Sequence, residues 1–505
     1  MFSFIQRTLH YERSLQTMSL YTTFRRLPIV VGLVSIMGVT LLWGCGGGGS
    51  GSIPIINCDS GGCGAGTYTG GNGNRGDDVS ISPNLNRAAC AANTHVSGRT
   101  RWTVLVFMNA ANNLQPDSLL NMGQIATAGS DSNVNLVVQW KQANCGTSAD
   151  CGNPSFLGTR RYLVKKHTAA EVQSIKGGNT TVLDPDRLAD PITNNAVSHQ
   201  SDMGDYRVLQ DFIKWGATNY PSDNLAVVVW DHGSGWRPIL QDRSASIAKV
   251  KQIPGSRLLE NQSSRAVSQD NATNNEIETT ELPLAFANPP QPIDLLIFDC
   301  SLEMMAEVAY EIRNSARVYV GSEESPPGNG YPYDKWLLEL KASGKDSCEV
   351  GNSIMTTFVA NYPVAADITQ SVVDLSQLQK TAASLENFGQ VLLTHANNEA
   401  NLIRDARVQV RNYSYPDNKD LYSYAEIIRA HTSYVDLKNA AANLEAALRG
   451  SDAAVIYSSH GLLQTGSNGM AIYAPARVDY LTAYNRLALT RSAPHWAQFL
   501  QSQVL

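Results

Sequence analysis

The fold is decided by residues 293–301, which read IDLLIFDCS. The apolar run in this stretch is short and nearly unbroken, which is typical of a strand buried on both faces of a parallel sheet. A second run of this kind, residues 225–230, is followed by DHG at 231–233. Because stretches with helical periodicity alternate with such strands, the sequence predicts an α/β fold with a mostly parallel sheet and helices on both faces.

The same patterns divide the chain into four parts. Residues 98–340 hold the alternating strands and helices and form the predicted α/β domain, within which the polar stretch 237–290 predicts long surface excursions. Residues 341–505 are rich in helical patterns and are expected to pack on that domain. Residues 45–97 are rich in Gly, Asn and Ser and predict a flexible tether. Residues 1–44 form a separate N-terminal segment.

The composition of the 505 residues is that of an ordinary globular protein, with 43% hydrophobic and 17% charged residues. This balance is too polar for a protein with many membrane spans. The net charge of −6 gives no electrostatic reason to expect a nucleic acid as a partner. No cysteines show the CxxC spacing of a zinc site, and the sequence predicts neither a metal nor a cofactor.

The N-terminus predicts export. Arg25 and Arg26 precede a short apolar run, residues 27–42, in the layout of a secretory signal. The junction at Cys45 resembles the bacterial lipoprotein signal, in which the cysteine is lipidated. A plain transmembrane anchor is the alternative, because the run is just long enough to span a bilayer. The glycines after Cys45 favour lipidation, and hence a lipoprotein anchored in the cell envelope that faces the periplasm or the exterior.

Several other cysteines suit an oxidising compartment. Cys145 and Cys151 flank a short polar loop and predict a disulfide. Cys58 with Cys63 or Cys90 is the candidate for a second one. Two cysteines in the later part of the chain are left without a predicted partner.

Two strand ends carry residues suited to covalent catalysis. The carboxyl ends of parallel strands meet at one crevice, so His232 and Cys300 are expected to lie close together. Gly233 allows a tight turn and a close approach of substrate to the backbone. Taken alone, a turn histidine and a buried inert cysteine are the simpler interpretations. Together, an imidazole and a thiol form the pair that nucleophilic acyl transfer requires.

Over residues 100–475 the chain resembles the clostripain-like cysteine peptidases. The resemblance rests on His-Gly at 232–233, on Phe-Asp just before Cys300, and on SEE at 322–324 followed by PGNGYPY at 327–333. It implies a caspase-like fold and an endopeptidase that cleaves protein or peptide substrates after Arg or Lys.

The resemblance also implies roles for individual residues. His232 would act as general base and acid, and the backbone N–H groups of Gly233 and of the nucleophile would form the oxyanion hole. Asp299 matches the acid of the first specificity pocket, where it would pair with a basic side chain of the substrate. The alternative for Asp299 is a structural carboxylate that caps the next helix.

The chain departs from the family pattern at the nucleophile. That pattern is Phe-Asp-Ala-Cys-Leu-Met, so an alignment without a gap puts Cys300 at the alanine, Ser301 at the nucleophile and Glu303 at the methionine. A second departure is Ala111, where relatives commonly carry Asp. Successive strand residues point to opposite faces, so a shift of one residue turns a side chain away from His232.

Three hypotheses follow from these departures. In the first, the protein is a cysteine peptidase that uses Cys300, which requires a bulge at the strand end. In the second, it is a peptidase or esterase-like hydrolase that uses Ser301, an alcohol that needs strong activation by an oriented base. In the third, it is catalytically silent and binds peptides or partners at the cell envelope.

Overall fold

The computed structural model describes residues 87–145, 151–188, 201–237, 267–342 and 345–502, together with the backbone of two earlier strands. The chain forms two units, Met1–Gly71 and Asn72–Leu505. The predicted signal segment and Cys45 lie outside the described residues. In the described part of the chain, no helix is both long and apolar enough to cross a membrane.

The first unit contains a β-hairpin. Its strands, β1 (Pro54–Asp59) and β2 (Gly62–Thr67), pair antiparallel, and Cys58 lies opposite Cys63 in their register. The hairpin falls within residues 45–97, the stretch that the sequence predicted to be a flexible tether. Backbone hydrogen bonds define this pairing, so the Gly-rich composition did not indicate it.

The second unit is built on an eight-stranded sheet. The strands that follow the hairpin are β3 (Thr100–Ala110), β4 (Val134–Gln142), β5 (Gly158–Leu163), β6 (Ser222–Trp230), β7 (Val267–Asp270), β8 (Asn275–Ile277), β9 (Leu295–Asp299), β10 (Val318–Gly321), β11 (Thr369–Asp374), β12 (Asn418–Asp420), β13 (Val455–His460) and β14 (Ala471–Tyr473). The order in the large sheet is β13-β11-β10-β9-β6-β3-β4-β5. The central strands from β10 to β4 are parallel, and antiparallel strands complete both edges.

Helices cover both faces of this sheet. Those that share a core with one face are Gln115–Ala128, Ala169–Lys176, Tyr333–Ala342 and Ser347–Asn361. Those on the other face are Tyr206–Asn219, Leu282–Ala285, Ala306–Glu311, Leu378–His395, Ala400–Gln409, Leu421–His431, Val435–Leu448, Ala488–Ser492 and Pro494–Ser502. The predicted α/β fold with helices on both faces is confirmed.

Strand β9 shows why the apolar runs have no polar alternation. Leu296 and Phe298 belong to one core, whereas Leu295 and Ile297 belong to the other. Successive strand residues point to opposite faces, and both faces are covered, so the whole strand is buried. Burial of each such side chain contributes about 1.5–3 kcal/mol, which favours a central position for β9.

The region after residue 340 also completes the sheet, since it supplies β11 and β13. Strand β11 begins with Thr369-Gln370-Ser371, and this polar start hid it in the sequence. All of its residues are nevertheless buried, because β10 and β13 pair with its two edges. The sheet therefore runs across the boundary predicted at residue 340.

Ordered structure in the second unit begins before the boundary predicted at residue 98. Arg87 is buried, and its guanidinium donates a hydrogen bond of 2.9 Å to the carbonyl oxygen of Ser451. Its neighbours, residues 88–90, form a short helical turn that is partly buried in the core. The end of the predicted tether is thus part of the folded unit.

A long-range disulfide joins this N-terminal piece to the rest of the unit. Cys90 is bonded to Cys348, so the suggested pairing of Cys90 with Cys58 is wrong. The partners are separated by 258 positions in sequence, and a separation of that size carries no local signal. Cys145 and Cys151 are also disulfide-bonded in the structure.

Candidate active site

The carboxyl ends of β6 and β9 bring the predicted site residues together. The strands are parallel neighbours, and Trp230 pairs with Asp299 in their register. His232 lies two residues beyond Trp230, and Ser301 lies two residues beyond Asp299. The histidine turn (residues 231–235) and the Ser301 turn (residues 299–303) therefore leave the sheet side by side at its carboxyl edge.

Gly233 lies where these two turns touch. A Cβ atom at this position would be 2.4 Å from the carbonyl oxygen of Ser301 and 2.9 Å from the Cβ atom of Cys300. Both separations are far below van der Waals contact, so a residue without a side chain is required here. The backbone of the histidine turn is thus packed directly against the Ser301 turn.

His232 is buried, and Asn113 orients its ring. The ring nitrogen Nε2 lies 2.6 Å from Oδ1 of Asn113. An amide oxygen only accepts hydrogen bonds, so Nε2 is the donor in this hydrogen bond. Sequence reasoning did not single out Asn113. The signal that could have found it is its position just after the central strand β3, at the same edge of the sheet.

Asp231 holds the backbone of the histidine turn. Its Oδ1 accepts hydrogen bonds from the backbone N–H of His232 and from Nδ2 of Asn112, each at 2.6 Å. Asn112 also donates to the carbonyl oxygen of Gln269 at 2.8 Å. The segment that supplies Asn113 is therefore tied to the histidine turn at two neighbouring residues.

The thiol of Cys300 lies inside the protein. Cys300 is fully buried in the same core cluster as Val229 and Phe298. Its Sγ lies 3.3 Å from the carbonyl oxygen of Val229, to which the thiol donates. An apolar environment and a bond that uses the thiol proton both disfavour the thiolate.

Ser301 occupies the position that continues the strand register. Its Oγ is 2.8 Å from Oγ of Ser325, and both hydroxyls are buried. The next residue, Leu302, has a φ of 63°, in the left-handed region. That conformation costs roughly 1–2 kcal/mol for a residue with a side chain, and strain of this kind clusters at functional sites.

Asp299 is buried and is held by the PGNGYPY stretch. Its Oδ2 accepts hydrogen bonds from the hydroxyl of Tyr333 at 3.0 Å and from the backbone N–H of Tyr331 at 3.3 Å. The next helix, Ala306–Glu311, begins after Met305, whose side chain does not cap it. The hydrogen bonds of Asp299 tie it to residues 331–333, and both its pocket role and the helix-capping alternative stay predictions.

A short hairpin from the stretch 237–290 packs at this edge of the sheet. Strands β7 and β8 form it, and Val267 makes a β-bridge to Gly233. Asp270 forms a buried ion pair with Lys141, with 2.5 Å between Oδ2 and Nζ. The prediction of surface excursions is wrong for this hairpin, because strands of three or four residues are too short to show an apolar period.

Glu303, which stands at the family's methionine, also reaches the histidine turn. It is fully buried, and its Oε1 accepts hydrogen bonds from the backbone N–H groups of Ser234 at 3.1 Å and Gly235 at 3.0 Å. Burial raises the pKa of this carboxyl to about 8, although the two hydrogen bonds act in the opposite direction.

Among the residues that the structure describes, no group of three or more His, Cys, Asp or Glu side chains is arranged so that it could hold a metal ion.

A mostly parallel sheet that carries a histidine turn and a candidate nucleophile turn on adjacent strands is the arrangement of the caspase-like peptidases. The sequence model of the clostripain family of cysteine peptidases matches residues 106–502, and the chain belongs to that family.

One curated relative is clostripain of Hathewaya histolytica. The chain is 26% identical to it over 253 residues, which are 48% of this chain and 42% of that protein. The match thus spans less than half of the relative's length.

Two solved structures share the fold. An inactive zymogen C11 protease from Parabacteroides distasonis is 19% identical with a TM-score of 0.52, and the match covers 79% of this chain and 99% of that one. The secreted C11 cysteine protease iotapain from Bacteroides thetaiotaomicron is 14% identical with a TM-score of 0.51, over 78% and 99% of the two chains.

Proposed function

We propose that this chain cleaves peptide bonds after Arg or Lys where the histidine turn meets the Ser301 turn. The pairing of Trp230 with Asp299 carries the proposal, because His232 and Ser301 then lie equally far beyond neighbouring parallel strands. Acyl transfer requires a base and a nucleophile side by side. Membership of the clostripain family supports a peptidase activity, and the resemblance to clostripain supports basic residues as the specificity.

In this proposal His232 is the general base and acid, and Asn113 orients its ring. While Nε2 is engaged by Asn113, Nδ1 takes the proton from the nucleophile as Oγ bonds to the substrate carbonyl carbon. The same proton passes to the leaving amine when the peptide bond breaks, and water then hydrolyses the acyl-enzyme. The backbone N–H groups of Gly233 and Ser301 stabilise the oxyanion.

The nucleophile in this proposal is Ser301 rather than Cys300. The strand register supports Ser301, and a hydrogen bond of 2.8 Å between its Oγ and Oγ of Ser325 restrains the side chain. The thiol of Cys300 donates to Val229 within the core, which is unsuited to forming a reactive thiolate. An alcohol is a weaker nucleophile than a thiolate, so we expect slow turnover.

Asp299 receives the basic side chain of the substrate in this proposal. Its carboxylate is held rigidly by Tyr331 and Tyr333. A buried carboxylate binds a guanidinium or ammonium group through charge-assisted hydrogen bonds, which are stronger than neutral ones. A neutral residue at the same place in the substrate leaves that charge uncompensated.

The test uses the full-length protein in detergent and fluorogenic peptides that end in Arg, in Lys or in Ala. The variants are His232→Ala, Ser301→Ala, Cys300→Ala and Ser301→Cys. We expect slow cleavage of the Arg and Lys peptides by wild type, unchanged cleavage by Cys300→Ala, and a loss of about 10²-fold or more in the His232 and Ser301 alanine variants. Ser301→Cys supplies a better nucleophile and is expected to be faster than wild type.

Two results would contradict this proposal. If folded Cys300→Ala alone loses activity, the thiol is the nucleophile and the strand end must rearrange. If neither wild type nor folded Ser301→Cys cleaves any of the peptides, the site is not competent for hydrolysis. Circular dichroism of each variant confirms that loss of activity is not loss of fold.

The burial of Cys300 favours a second candidate function, which is binding without cleavage. A family built on a thiol nucleophile has here an alcohol in register and its cysteine in the core. In this alternative Asp299 still selects peptides with a basic residue. Calorimetric titration with an Arg peptide distinguishes the two, because binding that survives Ser301→Ala but is lost in Asp299→Asn, with no cleavage in any form, supports the silent relative.

We further propose that the chain is an exported lipoprotein, anchored in the membrane of the cell envelope through lipid on Cys45. The apolar run after Arg25-Arg26 and the glycines after Cys45 support this. Metabolic labelling with a fatty acid is expected to mark wild type but not Cys45→Ser. Equal labelling of both, or full release of wild type by high salt, would contradict the anchor.

A further inference from the structure

Glu303 links the two turns of the candidate site through backbone groups. Its Oε1 accepts from both Ser234 and Gly235. The same oxygen would lie only 2.7 Å from a Cβ atom at Gly233. Glu303 therefore touches the histidine turn at three consecutive residues, while its own backbone belongs to the Ser301 turn.

The backbone of Glu303 is itself anchored. Its carbonyl oxygen accepts hydrogen bonds from the Tyr319 hydroxyl at 2.7 Å and from the Met305 N–H at 2.9 Å. Tyr319 lies on β10, the neighbour of β9. A side chain that starts from a fixed backbone and ends on two N–H groups holds the distance between the turns constant.

The carboxyl is fully buried, and within the described residues its second oxygen, Oε2, has no hydrogen-bond partner. A buried carboxylate with one bare oxygen is costly, whereas the protonated acid is tolerated. This agrees with a pKa raised by burial to about 8, so that the acid form prevails at neutral pH.

We propose that Glu303 is a positioning residue that holds the histidine turn against the Ser301 turn and so keeps the N–H of Gly233 aimed at the reacting carbonyl. The effect on catalysis rests on the function proposed above, whereas the effect on the turn does not. A methionine here removes the acceptor that the buried N–H groups of Ser234 and Gly235 share. A glutamine keeps the acceptor and cannot ionise.

Ionisation of Glu303 is expected to affect the same part of the site, where the N–H of Gly233 meets the reacting carbonyl. The nearest titratable group is Tyr319 on β10, whose hydroxyl donates to the Glu303 carbonyl oxygen. The elements packed against Glu303 also carry Cys300 at the end of β9, Glu307 on the helix Ala306–Glu311 and His232 in the histidine turn. A carboxylate formed here would place negative charge next to the developing oxyanion, and like charges repel strongly in a buried site. Peptide cleavage is therefore expected to fall on the alkaline side as Glu303 loses its proton.

Amide hydrogen exchange tests the turn without any need for activity. The full-length protein in detergent is compared with Glu303→Gln, Glu303→Met and the control Glu307→Gln, which removes a buried carboxyl four residues away. We expect slow exchange at Ser234 and Gly235 in wild type and in both glutamine variants, and exchange faster by roughly tenfold in Glu303→Met, because both N–H groups lose their acceptor and open more readily. A tenfold change corresponds to about 1.4 kcal/mol. Equal exchange in Glu303→Met and wild type overturns the proposal.

The effect on catalysis is measured by cleavage of the Arg peptide. If wild type is too slow, the Glu303 substitutions are made in the Ser301→Cys variant instead. Glu303→Met is expected to lose roughly tenfold or more in kcat with little change in KM, because an oxyanion donor is misplaced. Glu303→Gln is expected to keep kcat and to lose the alkaline fall near pH 8. A fall that persists in Glu303→Gln, or full kcat in Glu303→Met, overturns the catalytic role. If neither wild type nor Ser301→Cys cleaves the peptide, the function proposed above has failed, and exchange alone decides the positioning of the turn.

Discussion

Replacement of Glu307 by Gln is expected to change how the stability of the protein depends on pH. Glu307 lies on the helix Ala306–Glu311 and is fully buried. Its Oε1 accepts from the Tyr473 N–H at 2.8 Å and from the Tyr484 hydroxyl at 2.7 Å, which ties the helix to the C-terminal region. Burial raises the pKa of this carboxyl from 4.5 to about 7, against the effect of these hydrogen bonds.

The direction in which stability changes with pH follows from which state of the protein, folded or unfolded, keeps the proton on Glu307. Between pH 4.5 and 7 the folded state keeps the proton on Glu307 and the unfolded state releases it. The stability that the acid form contributes is therefore complete below the unfolded pKa and is lost as the pH rises through the folded pKa. Each pKa unit corresponds to about 1.4 kcal/mol, so the carboxyl costs about 2–3 kcal/mol more at pH 8 than at pH 5. A glutamine does not titrate and carries no such cost.

The assay is urea unfolding of wild type and Glu307→Gln at pH 5, 6, 7 and 8, with the disulfides kept oxidised. We expect the difference in unfolding free energy to move in favour of the variant by about 2–3 kcal/mol between pH 5 and pH 8. Any fixed cost of the amide cancels, because only the change with pH is compared. A difference that stays constant across this range would refute a raised pKa at Glu307.

Three further changes test the site and the disulfide framework. Asn113→Ala is expected to lower kcat for the Arg peptide roughly 10- to 100-fold with KM unchanged, since the ring of His232 loses its orienting partner; an unchanged kcat would dismiss that role. Asp299→Asn is expected to reduce the preference for Arg over Ala peptides roughly 10²-fold, as read from the ratio of kcat/KM values, and an unaltered ratio would place the specificity elsewhere. Replacing Cys90 and Cys348 together by Ser is expected to lower the unfolding free energy by about 2–5 kcal/mol, and a reductant that destabilises wild type and this variant equally would contradict it.

The positions of strands could be predicted from the sequence where both faces of the strand are buried. Residues 225–230 and 293–298 are apolar almost throughout because helices cover both faces of the sheet there. Strand β11 was missed, because three polar residues open it and its burial comes from pairing with β10 and β13. The β7–β8 hairpin was missed because its strands are too short to show a period.

The candidate site was predictable to the level of the strand ends. A histidine and a cysteine just beyond two buried strands were enough to expect His232 near Cys300. They were not enough to say which residue of the Asp299–Ser301 step faces the crevice. Alternation along β9 puts Cys300 in the core with Phe298, and a turn with Leu302 in the left-handed region follows it.

The sequence by itself determined the fold class and the family and indicated the strand ends of the candidate site, because apolar runs and short motifs are local properties of the chain. Only the tertiary structure decided which side chains meet. Asn113 reaches His232 across 119 positions, and Glu303 reaches Ser234 across 69. Such contacts depend on strand register and on the exact path of two turns, which local propensity does not encode. The arrangement that distinguishes Ser301 from Cys300 exists only once β6 and β9 are paired.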